Sequence, residues 1–249
     1  MDVISVIIIS ALICIVAALY SSVGHGGASG YLAVLSLIAV PPSTMASTAL
    51  TLNVLVAGVS LIFYVRAGHL SMKLSWPFII LSVPSAFVGG YIRVAEGTYY
   101  VLLSVALLFA AFRLAMSAAN AEEITEFKKV RLPVSLPVGA GIGLLSGIVG
   151  VGGGIFLSPL MLLFRWADPK QTSAVAALFI VVNSLAGMTG RILKGGFVVG
   201  EFLPLIVVAF VGGLLGSYFG ANRFSGLVLR RLLAVVLVVA ACKMIFALI

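Results

Sequence analysis

Apolar residues in this chain come in long unbroken runs, not in the alternation of a half-buried strand or the one-sided stripe of a surface helix. The runs cover about 3–20, 29–40, 43–65, 75–92, 98–117, 133–149, 155–164, 171–190, 197–219 and 225–249, with Gly, Pro or charged residues between them. At about 1.5 Å per helical residue, all but two are long enough to cross a hydrocarbon core of ~30 Å. The exceptions, 29–40 and 155–164, reach about half way. The pattern predicts an all-α polytopic membrane protein of about eight to ten transmembrane or re-entrant helices.

Each short run follows a glycine cluster: Gly24-His25-Gly26-Gly27-Ala28-Ser29-Gly30 and Gly150-Val151-Gly152-Gly153-Gly154. The clusters register at a spacing of 126, and the register continues with small slips. Pro42 meets Pro169 at 127, Arg66 meets Lys194 at 128, and Gly89 meets Gly216 at 127. Two homologous halves follow: a first transmembrane repeat over 1–117, a linker over 118–132 and a second repeat over 133–249.

Composition narrows the class further. Of 249 residues, 62% are hydrophobic and 9% charged, against about 25% charged in soluble domains. A soluble globular protein and a disordered chain are both excluded, and no length remains for a soluble catalytic domain. Met1-Asp2 leads into the first run without Lys or Arg, so that run is expected to stay in the mature protein rather than act as a signal peptide. Cys14 and Cys242 lie inside apolar runs without a CxxC or a nearby His, which points to neither disulfide nor metal.

The net charge of +8 does not call for a nucleic acid, because the basic residues stand singly at the ends of apolar runs, as topology-setting charges do. Those charges test the arrangement of the halves. If segments 1–40 and 133–165 each cross once, the 15 Lys and Arg divide 9 to 6 between the two sides. If each makes an even number of crossings, one side keeps only Arg93, Arg191, Lys194 and Lys243, and the division is 11 to 4. The positive-inside rule therefore predicts inverted-topology halves, a cytoplasmic linker and both termini outside.

A non-helical break inside a bilayer leaves backbone groups unpaired and survives only where protein or a water-filled cavity supplies partners. Half-helices beginning at Ala28 and Gly154 would point free N–H groups and positive dipole ends into such a cavity, and the natural guest is an anion. Ser21, Ser22 and Ser29 lie close by in the first half and Ser146 in the second. The other reading is that these glycines and serines let helices pack closely.

At this point a resemblance becomes specific. Gly-Leu-Leu-Ser-Gly-Ile-Val-Gly-Val-Gly-Gly-Gly at 143–154, a short apolar run, then Pro169 and Thr172, resembles the sulfite exporter TauE/SafE family. Ser22-Val-Gly-His-Gly-Gly-Ala-Ser-Gly is similar to its weaker N-terminal motif. The resemblance covers almost the whole chain. It implies a multi-pass protein of the prokaryotic inner membrane that moves sulfite, thiosulfate, sulfoacetate or related organosulfonates. His25, Ala28 and Ser29 depart from the fuller glycine pattern, so the two breaks are chemically unequal.

The candidate substrate-binding residues are therefore Ser21, Ser22, Gly24, His25, Gly26, Gly27, Ser29, Ser146, Gly150, Gly152, Gly153 and Gly154, with Asn53 and Asn183 from the long apolar runs. His25 either binds an anion or carries a proton when charged, or caps the broken helix as neutral imidazole. Asn53 and Asn183, grouped with Thr48 and Thr51, either line a polar cavity or bridge helices. Arg113 and Lys243 can snorkel, whereas Arg191 and Lys194 could attract or release an anion. All seven acids lie near the ends of spans, which leaves no intramembrane carboxylate for ion coupling.

Two lone histidines, scattered cysteines and peripheral acids supply no catalytic constellation, metal site or cofactor site, so an enzyme is not expected. The leading expectation is a transporter of small sulfur-containing anions working by alternating access around the breaks, with the lipid bilayer and the substrate as its partners. A passive anion channel and a membrane assembly protein are the alternatives. Oligomeric state has no signature in the sequence.

Overall fold

A computed structural model describes residues 3–38, 40–116, 127–197 and 203–222. The run expected at 225–249, with Cys242 and Lys243, and residues 118–126 of the linker lie outside the described residues, as does the side chain of Arg113. Nine α-helices and no strand occur among the described residues. They are α1 (Val3–Ser21), α2 (Ala28–Leu37), α3 (Pro42–Arg66), α4 (Met72–Tyr91), α5 (Glu96–Met116), α6 (Leu132–Val149), α7 (Gly154–Leu163), α8 (Pro169–Leu193) and α9 (Leu203–Asn222).

Helices α3, α4, α6 and α8 are long and apolar enough to cross a membrane. The outward surface carries large apolar side chains, Ile7, Val105, Leu193 and Val207 among them, each more than half exposed or close to it. Water would oppose such a surface and lipid tails favour it. By contrast α2 and α7, with 10 residues each, rise only about 15 Å. Both long helices after the half-helices open on proline at the first helical position, where the missing N–H costs nothing. The α8 start is further fixed by the Asp168 carboxylate, which accepts from the Lys170 and Gln171 amides at 2.8 and 2.9 Å.

The halves interlock through glycines. A Cβ on Gly139, Gly143 or Gly147 of α6 would strike the carbonyl of Phe78, Ser82 or Ala86 of α4. The residue numbers rise together, so α4 and α6 run parallel in backbone contact. Helices α1 and α9 do the same, with Gly212 on Cys14 and Gly216 on Ala18. By the repeat spacing α9 is the counterpart of α4, and α1 of α6. The meeting of Gly89 with the Leu144 carbonyl mirrors that of Gly216 with Ala18.

Between these pairs lie α3 and α8, themselves counterparts, and they run antiparallel: Asn53 meets Ser184, while Leu50, earlier in α3, meets Gly187, later in α8. Matching helices thus point in opposite directions, as in an inverted repeat. The Lys128 amide donates to the Arg165 carbonyl at 2.8 Å. Helix α7 therefore brings the chain back to the side on which α6 began, and the break lies at the turn of this hairpin.

Candidate functional site

The breaks fall level with the middle of α3 and α8, against Asn53 and Ile180. Gly27 at φ 95° caps α2 and Gly153 at φ 86° caps α7. A side chain at either position would add left-handed strain to a steric clash, with Tyr31 in one case and Phe179 in the other. Neither residue supplies a side-chain cap, so the first-turn amides need acceptors from elsewhere.

In the first half that acceptor is Asn53. Its Oδ1 accepts from the Ala28 amide at 3.1 Å, and its Nδ2 donates to the Val151 carbonyl at 3.2 Å and lies 3.5 Å from the Ser184 hydroxyl. The amide orientation follows from its partners, since a backbone N–H only donates and a carbonyl only accepts. One fully buried side chain therefore ties the two breaks together. At the matching position, 127 residues on, stands Ile180, packed against Gly152 and Gly154. The α7 start accordingly has no counterpart to the Asn53 acceptor.

A small cavity lies between the breaks, lined by Tyr20, His25, Gly26, Gly27, Ala28, Ser29, Val151, Ile155 and Ile180. Its volume is about 10 Å³, room for a single water molecule. Tyr20 and Ser29 share a hydroxyl hydrogen bond of 2.8 Å on one wall. His25 Nδ1 lies 2.9 Å from the Val23 carbonyl and Nε2 lies 3.1 Å from the Ser158 hydroxyl of α7. Because the carbonyl can only accept, Nδ1 carries a proton, and Nε2 accepts from Ser158 in neutral imidazole. Protonation of Nε2 reverses that bond without breaking it, because the hydroxyl can turn to accept.

Of the sequence-derived candidates, His25, Gly26, Gly27 and Ser29 line this cavity; Asn53, Gly152 and Gly154 stand behind it, against its lining residues Ala28, Val151 and Ile180, and Gly153 lies against Phe179 and Ile142. Gly24 and Gly150 sit farther back in the breaks, against Ser173 of α8 and Ala46 of α3. Ser21 and Ser22 do not reach it: their hydroxyls donate to the Ala18 and Leu19 carbonyls of their own helix. Ser146 and Asn183 are fully buried away from it, and neither side chain has a hydrogen-bond partner. The Thr48 hydroxyl is likewise unpartnered, whereas Thr51 donates to Ser47.

Tyr20, Val151, Ile155 and Ile180 line the cavity without having been singled out. The repeat itself carried the signal for Ile180, which is found by moving Asn53 forward one repeat. At the far ends of α4, α6 and α8, basic side chains meet helix C-termini. Arg191 Nη2 donates to the Gly147 and Ile148 carbonyls at 3.1 and 2.6 Å, and Lys194 Nζ to the Ile92 carbonyl at 2.8 Å. Burial first, and then the neighbouring Arg191 and Arg93, lower the pKa of the Lys194 ammonium.

A family model for sulfite exporter TauE/SafE matches residues 9–244. The chain belongs to this family. It is a multi-pass membrane transporter of the sulfite exporter TauE/SafE family. It is similar to a probable membrane transporter protein, y4hK, of Sinorhizobium fredii, at 35% identity over 236 residues, covering 93% of this chain and 95% of the relative. A probable membrane transporter protein of Haemophilus influenzae is 23% identical over 227 residues, covering 82% of each chain. No solved structure matches.

Proposed function

We propose that this TauE/SafE protein carries small sulfur-containing oxyanions, of the sulfite, thiosulfate or organosulfonate kind, across the inner membrane by alternating access around the two breaks. The observation that carries the proposal is the convergence of two half-helix N-termini on one cavity at mid-depth, framed by Asn53. Two positive dipole ends and first-turn amides suit an anion better than a cation or a neutral solute. A small polarisable oxyanion can be held there by amides and hydroxyls, with no fixed charge required in the cavity itself. The cavity has room for a single water, which supports a carrier that opens around its cargo over a permanently open channel.

The test is flux into proteoliposomes of the purified protein, comparing sulfite, thiosulfate and sulfoacetate with chloride, with and without a pH gradient. Selective sulfur-anion flux is expected, and Gly152→Val should abolish it: residue 152 sits at φ 78° and a Cβ there meets the Asn53 amide at 2.5 Å. Chloride moving as fast as the sulfur anions would replace the carrier with a channel. A folded wild type without flux, or a folded Gly152→Val variant with full flux, would overturn the site.

A further inference from the structure

A carrier that couples its cargo to protons needs, beside the cargo, a group that changes charge near neutral pH. Among the described residues lining the cavity between the breaks there is no carboxylate, lysine or arginine, and the titratable groups are Tyr20 and His25. The Tyr20 hydroxyl is committed to Ser29 at 2.8 Å, and a phenol, which ionises at about pH 10, stays neutral. Imidazole is the side chain whose charge changes between about pH 5 and 8.

His25 is also placed to exchange protons. Every other described residue lining the cavity is buried, whereas His25 is part-exposed, so its ring stands between the cavity and the outside of the protein. The ring is held by both halves: Nδ1 lies 2.9 Å from the Val23 carbonyl in the first break, and Nε2 lies 3.1 Å from the Ser158 hydroxyl of α7. Nδ1 keeps its proton throughout, so Nε2 is where a second one is gained. When it is, the Ser158 hydroxyl turns to accept, and its own O–H is released for another acceptor. The proton adds one charge and one donor beside the cavity without loosening either attachment of the ring.

The groups that stand around the ring are neutral: Tyr20 of α1, Ser29 of α2, Ser158 of α7, Asn53 of α3 against the following Gly26, and Ser173 of α8 against the preceding Gly24. The charges on those elements lie toward their ends: Arg66 at the close of α3, Arg165 just past α7, Asp168 and Lys170 at the opening of α8 and Arg191 in its last turn. An anion in the cavity brings a negative charge against the wall that His25 forms, and opposite charges at such range favour each other's ionised form. One repeat later, at the spacing of 126, His25 is matched by Val151, which lines the same cavity and cannot titrate. The two halves supply one proton site between them.

We propose that His25 is the proton-binding site of this carrier: Nε2 takes one proton from water as the anion enters and returns it as the anion leaves, so that one proton travels with each anion. No bond within the anion changes. The proposal rests on the anion-transport reading and adds a co-transported ion to it. By linkage, an anion that draws a proton onto His25 binds more tightly at lower pH, and its affinity falls as pH rises through the histidine range.

Thiosulfate titrated calorimetrically into the full-length protein in neutral-lipid nanodiscs, in two buffers of different ionisation enthalpy, counts the protons taken up per anion. Thiosulfate is the probe because sulfite itself takes up a proton near neutral pH. The wild type should take up a fraction of a proton that approaches one, and its affinity should fall by up to about tenfold per pH unit. His25→Gln, which can still bond Ser158, should bind with no proton uptake and no dependence on pH. The chain has two histidines, and His69→Gln should behave as wild type. Binding without proton uptake in the wild type, or uptake that survives in His25→Gln, would overturn the proton site and leave the anion reading standing. A folded wild type that neither binds nor moves any sulfur anion removes that reading and the proton site with it. If His25→Gln fails to fold, the His69→Gln protein keeps His25 as its one imidazole, and thiosulfate at neutral pH should move its NMR signals toward those of imidazolium. Signals that stay in place overturn the proposal.

Discussion

Asn53 holds two backbones that belong to different halves of the chain, and it does so with both ends of one amide. Replacing it by Ala orphans the Ala28 N–H and the Val151 carbonyl in the buried interior, beside the middle of α3. The expected cost is about 1–3 kcal/mol for each group left unsatisfied, read as a lower melting temperature in detergent. Asn53→Asp is more selective. A carboxylate still accepts from Ala28 but adds negative charge at the proposed anion site, so on that proposal sulfite flux should fall much further than stability does. Equal loss in Asn53→Ala and Asn53→Asp would argue that the residue is a bridge and nothing else. Neither role could be read from the sequence, because the Val151 contact spans 98 residues and an asparagine in an apolar run looks the same whether it faces a cavity or a neighbouring helix. Ser21 and Ser22 show the converse: their closeness to a glycine cluster says nothing about which way the hydroxyl turns.

The half-helices were legible as elements. A glycine cluster followed by too few apolar residues to span marks a break and a short helix, and α2 and α7 start at Ala28 and Gly154, as local backbone chemistry dictates. Which helices touch was not legible, because the glycines that decide it look alike in sequence. Gly143 and Gly141 make the point within one turn of α6. A Cβ at residue 143 would run into the Ser82 carbonyl, whereas the one at residue 141 meets open space. Gly143→Ala should therefore destabilise the α4–α6 contact by about 1–3 kcal/mol. Gly141→Ala should be neutral or gain up to about 1 kcal/mol from reduced backbone entropy loss. Thermal unfolding of the two variants side by side checks the seam, and equal effects would mean that α4 and α6 do not meet there.

At the scale of the whole molecule, the antiparallel α3 and α8 and the closed α6–α7 hairpin have a topological consequence. Cysteines placed at Lys128 and Arg165 should label from one face of the membrane, and cysteines at Arg93 and Gly195 from the other. The excess of positive charge assigns the first pair to the cytoplasm. Impermeant-reagent labelling of right-side-out and inverted vesicles reads this directly, and labelling of residues 128 and 165 from opposite faces would refute the hairpin. The charge asymmetry carried this arrangement in the sequence, since only an even number of crossings by the broken segments gathers the basic residues on one face. The pairing of α1 with α9, by contrast, joins elements from opposite ends of the chain and leaves no local trace.

The cavity between the breaks is barely larger than a water molecule, and this has a consequence for how the protein would be measured. On the proposed transport reading, an anion enters only a shape in which the walls around Asn53 have parted. Its measured affinity is then its intrinsic affinity multiplied by the fraction of time that shape exists. A shape open one time in about a hundred binds about a hundredfold more weakly than its contacts alone would allow. Weak apparent binding joined to sharp selectivity is the signature to look for, because the selectivity is set by the contacts and the weakness by the closure. A molecule built this way favours turnover over storage.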